Sequence, residues 1–144
     1  MNNPFSLAGK KILVTGASSG IGRAVAVECS KMGAIVYLTA RNQDRLAETL
    51  GMMEGAIHHI LVADLSTTDG IQFIVSNIND KLDGVVQCAG FTIPKPFKFF
   101  SEDDLSQIMG VHFGGRRENT RKGMIQGKEE RRCVALGTEG LRKI

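Results

Sequence analysis

The sequence predicts an α/β fold, an open, doubly wound parallel sheet in strand order 3-2-1-4 with helices on both faces. Three features support that expectation. Short β-branched runs alternate with stretches of helical spacing from residue 11 to about residue 113. The run at residues 34–39, AIVYLT, is apolar almost throughout, as suits a parallel strand covered on both faces. Residues 11–22, KILVTGASSGIG, join a strand to a helix through a glycine turn and so open a strand-helix-strand unit that closes at the 34–39 run.

Taken in order, residues 2–9 are an irregular lead-in whose Phe5 and Leu7 tuck against the sheet edge, and residues 11–15 are the first strand. The glycines that follow have separate tasks. Gly16 permits the sharp turn, Gly20 lets backbone N–H groups reach a pyrophosphate, and Gly22 lets the helix pack tightly on the strand. Ser18, Ser19 and Ile21 belong to the same loop, and the helix start presents its unpaired donors and its dipole to the anion. In that helix, residues 20–32, Ile21, Val25, Cys29 and Met32 form the buried stripe, and Gly33 ends it. Asn42 caps a second helix, residues 44–52, with Leu46, Ala47 and Leu50 inward. Residues 57–63 make the third strand, where neighbouring His58 and His59 face opposite sides, so no metal is expected there. Ile71, Ile74, Val75 and Ile78 mark a third helix, and residues 82–89 a fourth strand. Pro94 and Pro96 break the next segment, in which Phe97, Phe99 and Phe100 cover an apolar patch. Ser101 then opens a fourth helix with Leu105, Ile108, Met109 and Phe113 on one face.

Ligands of such sheets bind beyond the carboxyl ends of the strands. Arg41 and Asn42 follow the second strand, and neither Thr39 nor Ala40 is acidic. Arg41 therefore offers a planar, always-charged donor set to the 2′-phosphate of NADP, where an NAD site would need a carboxylate; the other reading is a solvated charge beside the helix cap. Asp64 and Leu65 follow the third strand, with Asp64 either a ligand group or a helix-start acid. Cys88, Ala89 and Gly90 follow the fourth, and the small residues leave room for a ribose and a nicotinamide against the backbone. Nothing in the local sequence activates Cys88, which reads as a core thiol.

Thr15-Gly-x3-Gly-x-Gly22 resembles the cofactor loop of the short-chain dehydrogenase/reductase family. The resemblance covers about residues 7–114, the cofactor-binding half, and implies a Rossmann-like domain binding NADP(H) in preference to NAD(H), for hydride transfer between carbonyl and alcohol. It assigns Asp64 and Leu65 to the adenine. Gln87-Cys88-Ala89-Gly90 stands where the family has Asn-Asn-Ala-Gly, with both asparagines replaced. His112 takes the place of an asparagine that helps to organise a proton-relay water. The family's catalytic serine and Tyr-x-x-x-Lys have no counterpart: the one tyrosine is Tyr37, followed at the fourth position by Arg41. In that motif the tyrosine hydroxyl passes the proton and the lysine lowers its pKa. The expectation is a cofactor domain weak or inactive by itself, in a chain truncated or shifted in reading frame near Gly115, against about 250 residues for the family.

The charge is uneven. Residues 115–144 hold nine Lys and Arg against four acids, a balance of +5, which leaves −2 for residues 1–114. The segment 115–144 reads as a basic, irregular tail, and it motivates an alternative: a non-catalytic interaction module binding an acidic partner or RNA through Arg116-Arg117 and Arg131-Arg132. The tail has no aromatic residue for base stacking, so nucleic acid is the weaker expectation. Three scattered cysteines argue against a disulfide framework or zinc. No apolar run reaches membrane-spanning length and no signal segment precedes the first strand, so a cytoplasmic protein is expected. With no fifth strand in sight, the fourth would be a sheet edge, and self-association is expected from it.

Overall fold

The computed structural model describes residues 3–55, 57–90, 101–103 and 106, together with the backbone of residues 134–135. The elements run β1 (Lys11–Thr15), α1 (Gly20–Lys31), β2 (Ile35–Ala40), α2 (Gln43–Gly51), β3 (His59–Val62), α3 (Thr68–Asn77), β4 (Gly84–Gln87) and β5 (Val134–Ala135). All four ladders are parallel, in the order β3-β2-β1-β4-β5. The Rossmann-like order 3-2-1-4 is therefore present. Thr15 pairs with Thr39 on one side and Gln87 on the other, and Ala40 pairs with Val62, so the strands end level and their following loops share one rim.

Strand alternation divides the core between the two faces. Leu13, Tyr37, Leu61 and Val85 point to the side covered by Ile71, Ile74 and Ile78 of α3 and its end. Ile12, Val14, Val36 and Leu38 point to the other side, covered by Ala26 of α1 and Leu46 of α2. Leu13, Val14, Val36 and Leu38 are completely buried. At about 1.5–3 kcal/mol for each such side chain, the two central strands supply much of the burial that holds the sheet.

Several expectations need correction. The inward stripe of α1 is Gly22, Ala26 and Ser30, with Val25 and Cys29 at its margin; Ile21 is 64% exposed and Met32 40%. Small residues win that face because the helix starts in contact with the loop: a Cβ on Gly22 would fall on the Gly16 carbonyl. In α2 the buried pair is Leu46 and Thr49, and Ala47 faces solvent. Leu7 packs at the core margin, whereas Phe5 stays exposed. A fifth strand exists after all: Val134 and Ala135 pair with Val86 and Gln87. The carboxyl half of β4 is thus covered, which removes the premise of the edge argument for self-association at those residues and gives two residues of the expected irregular tail a place in the sheet. The phenylalanine segment at 91–100 and His112 lie outside the described residues, as does most of the fourth helix, of which Glu102, Asp103 and Ser106 are helical.

Candidate functional site

The loops after β1, β2, β3 and β4 enclose a cleft of about 800 Å³ at the carboxyl rim. From the first loop it is lined by Gly16, Ser18, Ser19, Ile21 and Gly22; from the second by Arg41 and Asn42; from the third by Asp64 and Leu65; from the fourth by Cys88, Ala89 and Gly90. Gly20 is the one site residue expected from the sequence, among those described, that is not part of the lining. Ala40, Arg45 and Ala63 line the cleft too and were not foreseen.

Gly16 sits where only glycine fits. Its φ is +66°, and a Cβ would come within 2.8 Å of the Ala89 backbone, so the loops after β1 and β4 touch backbone to backbone. Thr15, completely buried, ties them together. Its hydroxyl accepts from the Cys88 and Ala89 amides at 3.0 and 3.1 Å and lies 3.1 Å from Gln87 Oε1, to which it can donate. Thr15 and Gln87 thereby brace the segment in which both family asparagines are replaced. The sequence signal for this was the threonine before Gly16, but its partners lie more than seventy residues away.

The amino end of α1 differs from those of α2 and α3. Asn42 accepts from the Arg45 amide at 2.9 Å to cap α2, and Thr67 accepts from the Gly70 amide at 3.0 Å to cap α3; each helix has an acid in its first turn. Ser19 makes no side-chain capping bond, and the first turn of α1 has no acid. The first-turn amides and the positive end of the helix dipole are left toward the cleft. Behind the loop, Arg23 donates to the Ser18 carbonyl at 2.7 Å and to Thr49 Oγ1 at 3.0 Å, and Thr49 in turn donates to the Ala17 carbonyl at 2.9 Å. These bonds tie the Ala17 and Ser18 carbonyls to side chains of α1 and α2.

Asp64 does both things considered for it. Its Oδ1 accepts from the Ser66 amide at 2.9 Å and the Ser66 hydroxyl at 2.6 Å, fixing the turn before α3, while the residue lines the cleft. Those two bonds, with a smaller contribution from the Arg41 charge, hold its carboxyl below the usual value, so it is an acceptor at neutral pH. Arg41 has no hydrogen-bond or ion-pair partner among the described residues. Burial pushes the Cys88 thiol up, and Cys29 adds in the same direction, which agrees with an unactivated thiol. Tyr37 is elsewhere: 4% exposed, its hydroxyl bonded to Asp80 before β4, its pKa pushed up to about 12 by burial and then by that carboxylate. It cannot pass a proton in this cleft. Among the described residues no helix is long and apolar enough to cross a membrane.

The short chain dehydrogenase family profile matches residues 10–130, passing the boundary placed at residue 114. The chain is 38% identical over 114 residues to a glucose 1-dehydrogenase of Gluconobacter oxydans (strain 621H), covering 75% of this chain and 43% of that protein. A crystal structure from Agrobacterium tumefaciens, described as a 2-deoxy-D-gluconate 3-dehydrogenase with bound NADP, matches with a TM-score of 0.72 at 34% identity, over 83% of this chain and 48% of that one. L-sorbose reductase from Gluconobacter frateurii, solved with NADPH and L-sorbose, matches with a TM-score of 0.74 at 27% identity, over 81% and 47%. The chain spans less than half the length of each of these relatives. With sheet order, glycine loop and profile in agreement, the chain belongs to the short-chain dehydrogenase/reductase family.

Proposed function

We propose that this chain provides the NADP(H)-binding part of an oxidoreductase that interconverts a carbonyl and an alcohol. The observation that carries this reading is the amino end of α1, which no side chain caps, at a cleft whose wall also holds Arg41, without an ion-pair partner among the described residues. The cleft is of a size suited to a cofactor, and its donor set is complementary to anions at two places. The amides at residues 18–22 would hold the pyrophosphate, as a helix start holds phosphate elsewhere. Arg41, with Asn42 beside it, would hold the 2′-phosphate through charge-assisted bonds. Asp64, ionised, would accept from the adenine amino group, and Leu65 would pack on the ring. Cys88, Ala89 and Gly90 would leave room for the nicotinamide ribose. The dinucleotide, when bound, supplies the hydride chemistry.

The role of the described residues is to bind and orient. None of those lining the cleft is a tyrosine, lysine or histidine able to exchange a proton with a substrate. Calorimetric titration of the full chain with NADPH and NADH tests the reading: NADPH should bind, and more tightly than NADH. Arg41→Ala should weaken NADPH by roughly ten- to hundredfold and leave NADH little changed, the loss of one or two charged hydrogen bonds. A folded sample that binds neither dinucleotide would overturn it.

A further inference from the structure

Arg45 lies in the first turn of α2, and it lines the same cleft as Arg41. An acid three residues on, Glu48, stands at the spacing where an arginine normally finds its partner on a helix. Glu48 is already taken. Arg23 of α1 reaches it at 3.1 Å, and the same guanidinium is fixed by the Ser18 carbonyl, Thr49 Oγ1 and, at 3.4 Å, the Arg45 carbonyl. An isolated surface pair would be worth little and would exchange readily. Here four contacts on one guanidinium keep it in place. Among the described residues, Arg45 consequently has no ion-pair partner, and the cleft wall offers two unpaired, permanently charged guanidinium groups. Of the acids nearest in the chain or the cleft, Asp44 is outside the lining, and Asp64, its Oδ1 bonded to Ser66, feels the Arg41 charge without forming an ion pair with either arginine.

We propose that Arg45 is a second selectivity residue for a phosphate monoester on the adenosine ribose, kept available because Arg23 holds Glu48. The inference rests on the NADP(H) reading above. Arg45 acts on the ligand directly, whereas Arg23 and Glu48 are positioning residues that set whether Arg45 is free. Losing Arg23 releases Glu48 to pair with Arg45, so a residue behind the loop controls preference for the phosphorylated cofactor.

The test is calorimetric titration of the full chain with NADPH, NADH and the fragments 2′,5′-ADP and 5′-AMP. Arg45 is exposed and its side chain has no partner among the described residues, so Arg45→Ala should remain folded. It should weaken NADPH and 2′,5′-ADP about tenfold while NADH and 5′-AMP change less than about twofold, the loss of a charge-assisted bond. Arg23→Ala should lower the NADPH-to-NADH affinity ratio by a similar factor, beyond any loss common to both. The double change Arg23→Ala with Glu48→Gln should restore the ratio, since no acid remains to capture Arg45. A ratio unmoved by Arg45→Ala, with Arg41→Ala still selective, would overturn this inference and leave the cofactor reading standing. A double variant with a ratio as low as Arg23→Ala would overturn the partner exchange. Failure of the unaltered chain to bind any dinucleotide would overturn both.

Discussion

Thr15 and Thr39 stand in register on neighbouring strands, both completely buried, and differ only in what their hydroxyls meet. Thr15 Oγ1 accepts two backbone amides and lies beside Gln87 Oε1; Thr39 Oγ1 has no hydrogen-bond partner among the described residues. The same substitution should therefore act with opposite signs. Thr15→Val strands the Cys88 and Ala89 amides, at about 1–3 kcal/mol for each buried group left unsatisfied, so a loss of about 2 kcal/mol or more is expected. Thr39→Val removes a hydroxyl already without a partner and keeps the side-chain shape, so stability should rise by about 1 kcal/mol. Urea denaturation of the two variants measures both. A Thr15→Val loss no larger than that of Thr39→Val would contradict the hydrogen-bonding role of the Thr15 hydroxyl. The threonine before the glycine turn was visible in the sequence, whereas the contrast between the two hydroxyls depends on β4 lying beside β1 and not beside β2.

The helices carry the same contrast one level up. Truncating the caps Asn42→Ala and Thr67→Ala should each cost about 1 kcal/mol, while Ser19→Ala should cost almost nothing, because Ser19 caps α1 with its backbone alone. Thermal melts of the three variants give the comparison, and a Ser19→Ala loss as large as the other two would contradict an open helix start. Helix and strand positions were legible because their apolar spacing is local, and the cap at Asn42 was legible because asparagine before a helical run has few other uses there. The inward face of α1 was misread, since hydrophobicity pointed to Ile21 and Met32 while closeness to the loop demanded Gly22 and Ala26. β5 was missed for a different reason. The apolar run at residues 133–136 is too short to show a period, and only the open side of β4 makes Val134 and Ala135 a strand. Arg45 was overlooked because its availability depends on Arg23, a residue of another helix.

At the scale of the molecule, the two rims of the sheet differ, among the described residues, in how their cations are paired. At the amino rim Lys11 pairs with Asp80 at 2.7 Å and Lys10 with Asp83 at 3.6 Å, and Tyr37 donates to Asp80 from inside the core. At the carboxyl rim Arg41 and Arg45 line the cleft without partners among the described residues. Stability and binding should then respond to different groups. Tyr37 has an ordinary value of 10.0 raised to about 12 in the fold, so its contribution is complete below pH 10 and is lost as pH rises toward 12. Tyr37→Phe, which removes the bond to Asp80, should be less stable than the unaltered chain at pH 8 by about 1 kcal/mol, and the gap should close between pH 10 and 12. Asp80 works in the other direction: Lys11 first, then Tyr37, lowers its pKa, so its contribution fades only in acid. Denaturant midpoints of both proteins from pH 8 to 12, alongside NADPH titration at pH 8, separate the two rims. Affinity within about twofold despite the stability loss is the expected result, because Tyr37 faces the amino rim and the cofactor cleft opens at the other; a gap that persists unchanged to pH 12 would mean that the Tyr37 hydroxyl does not supply the difference.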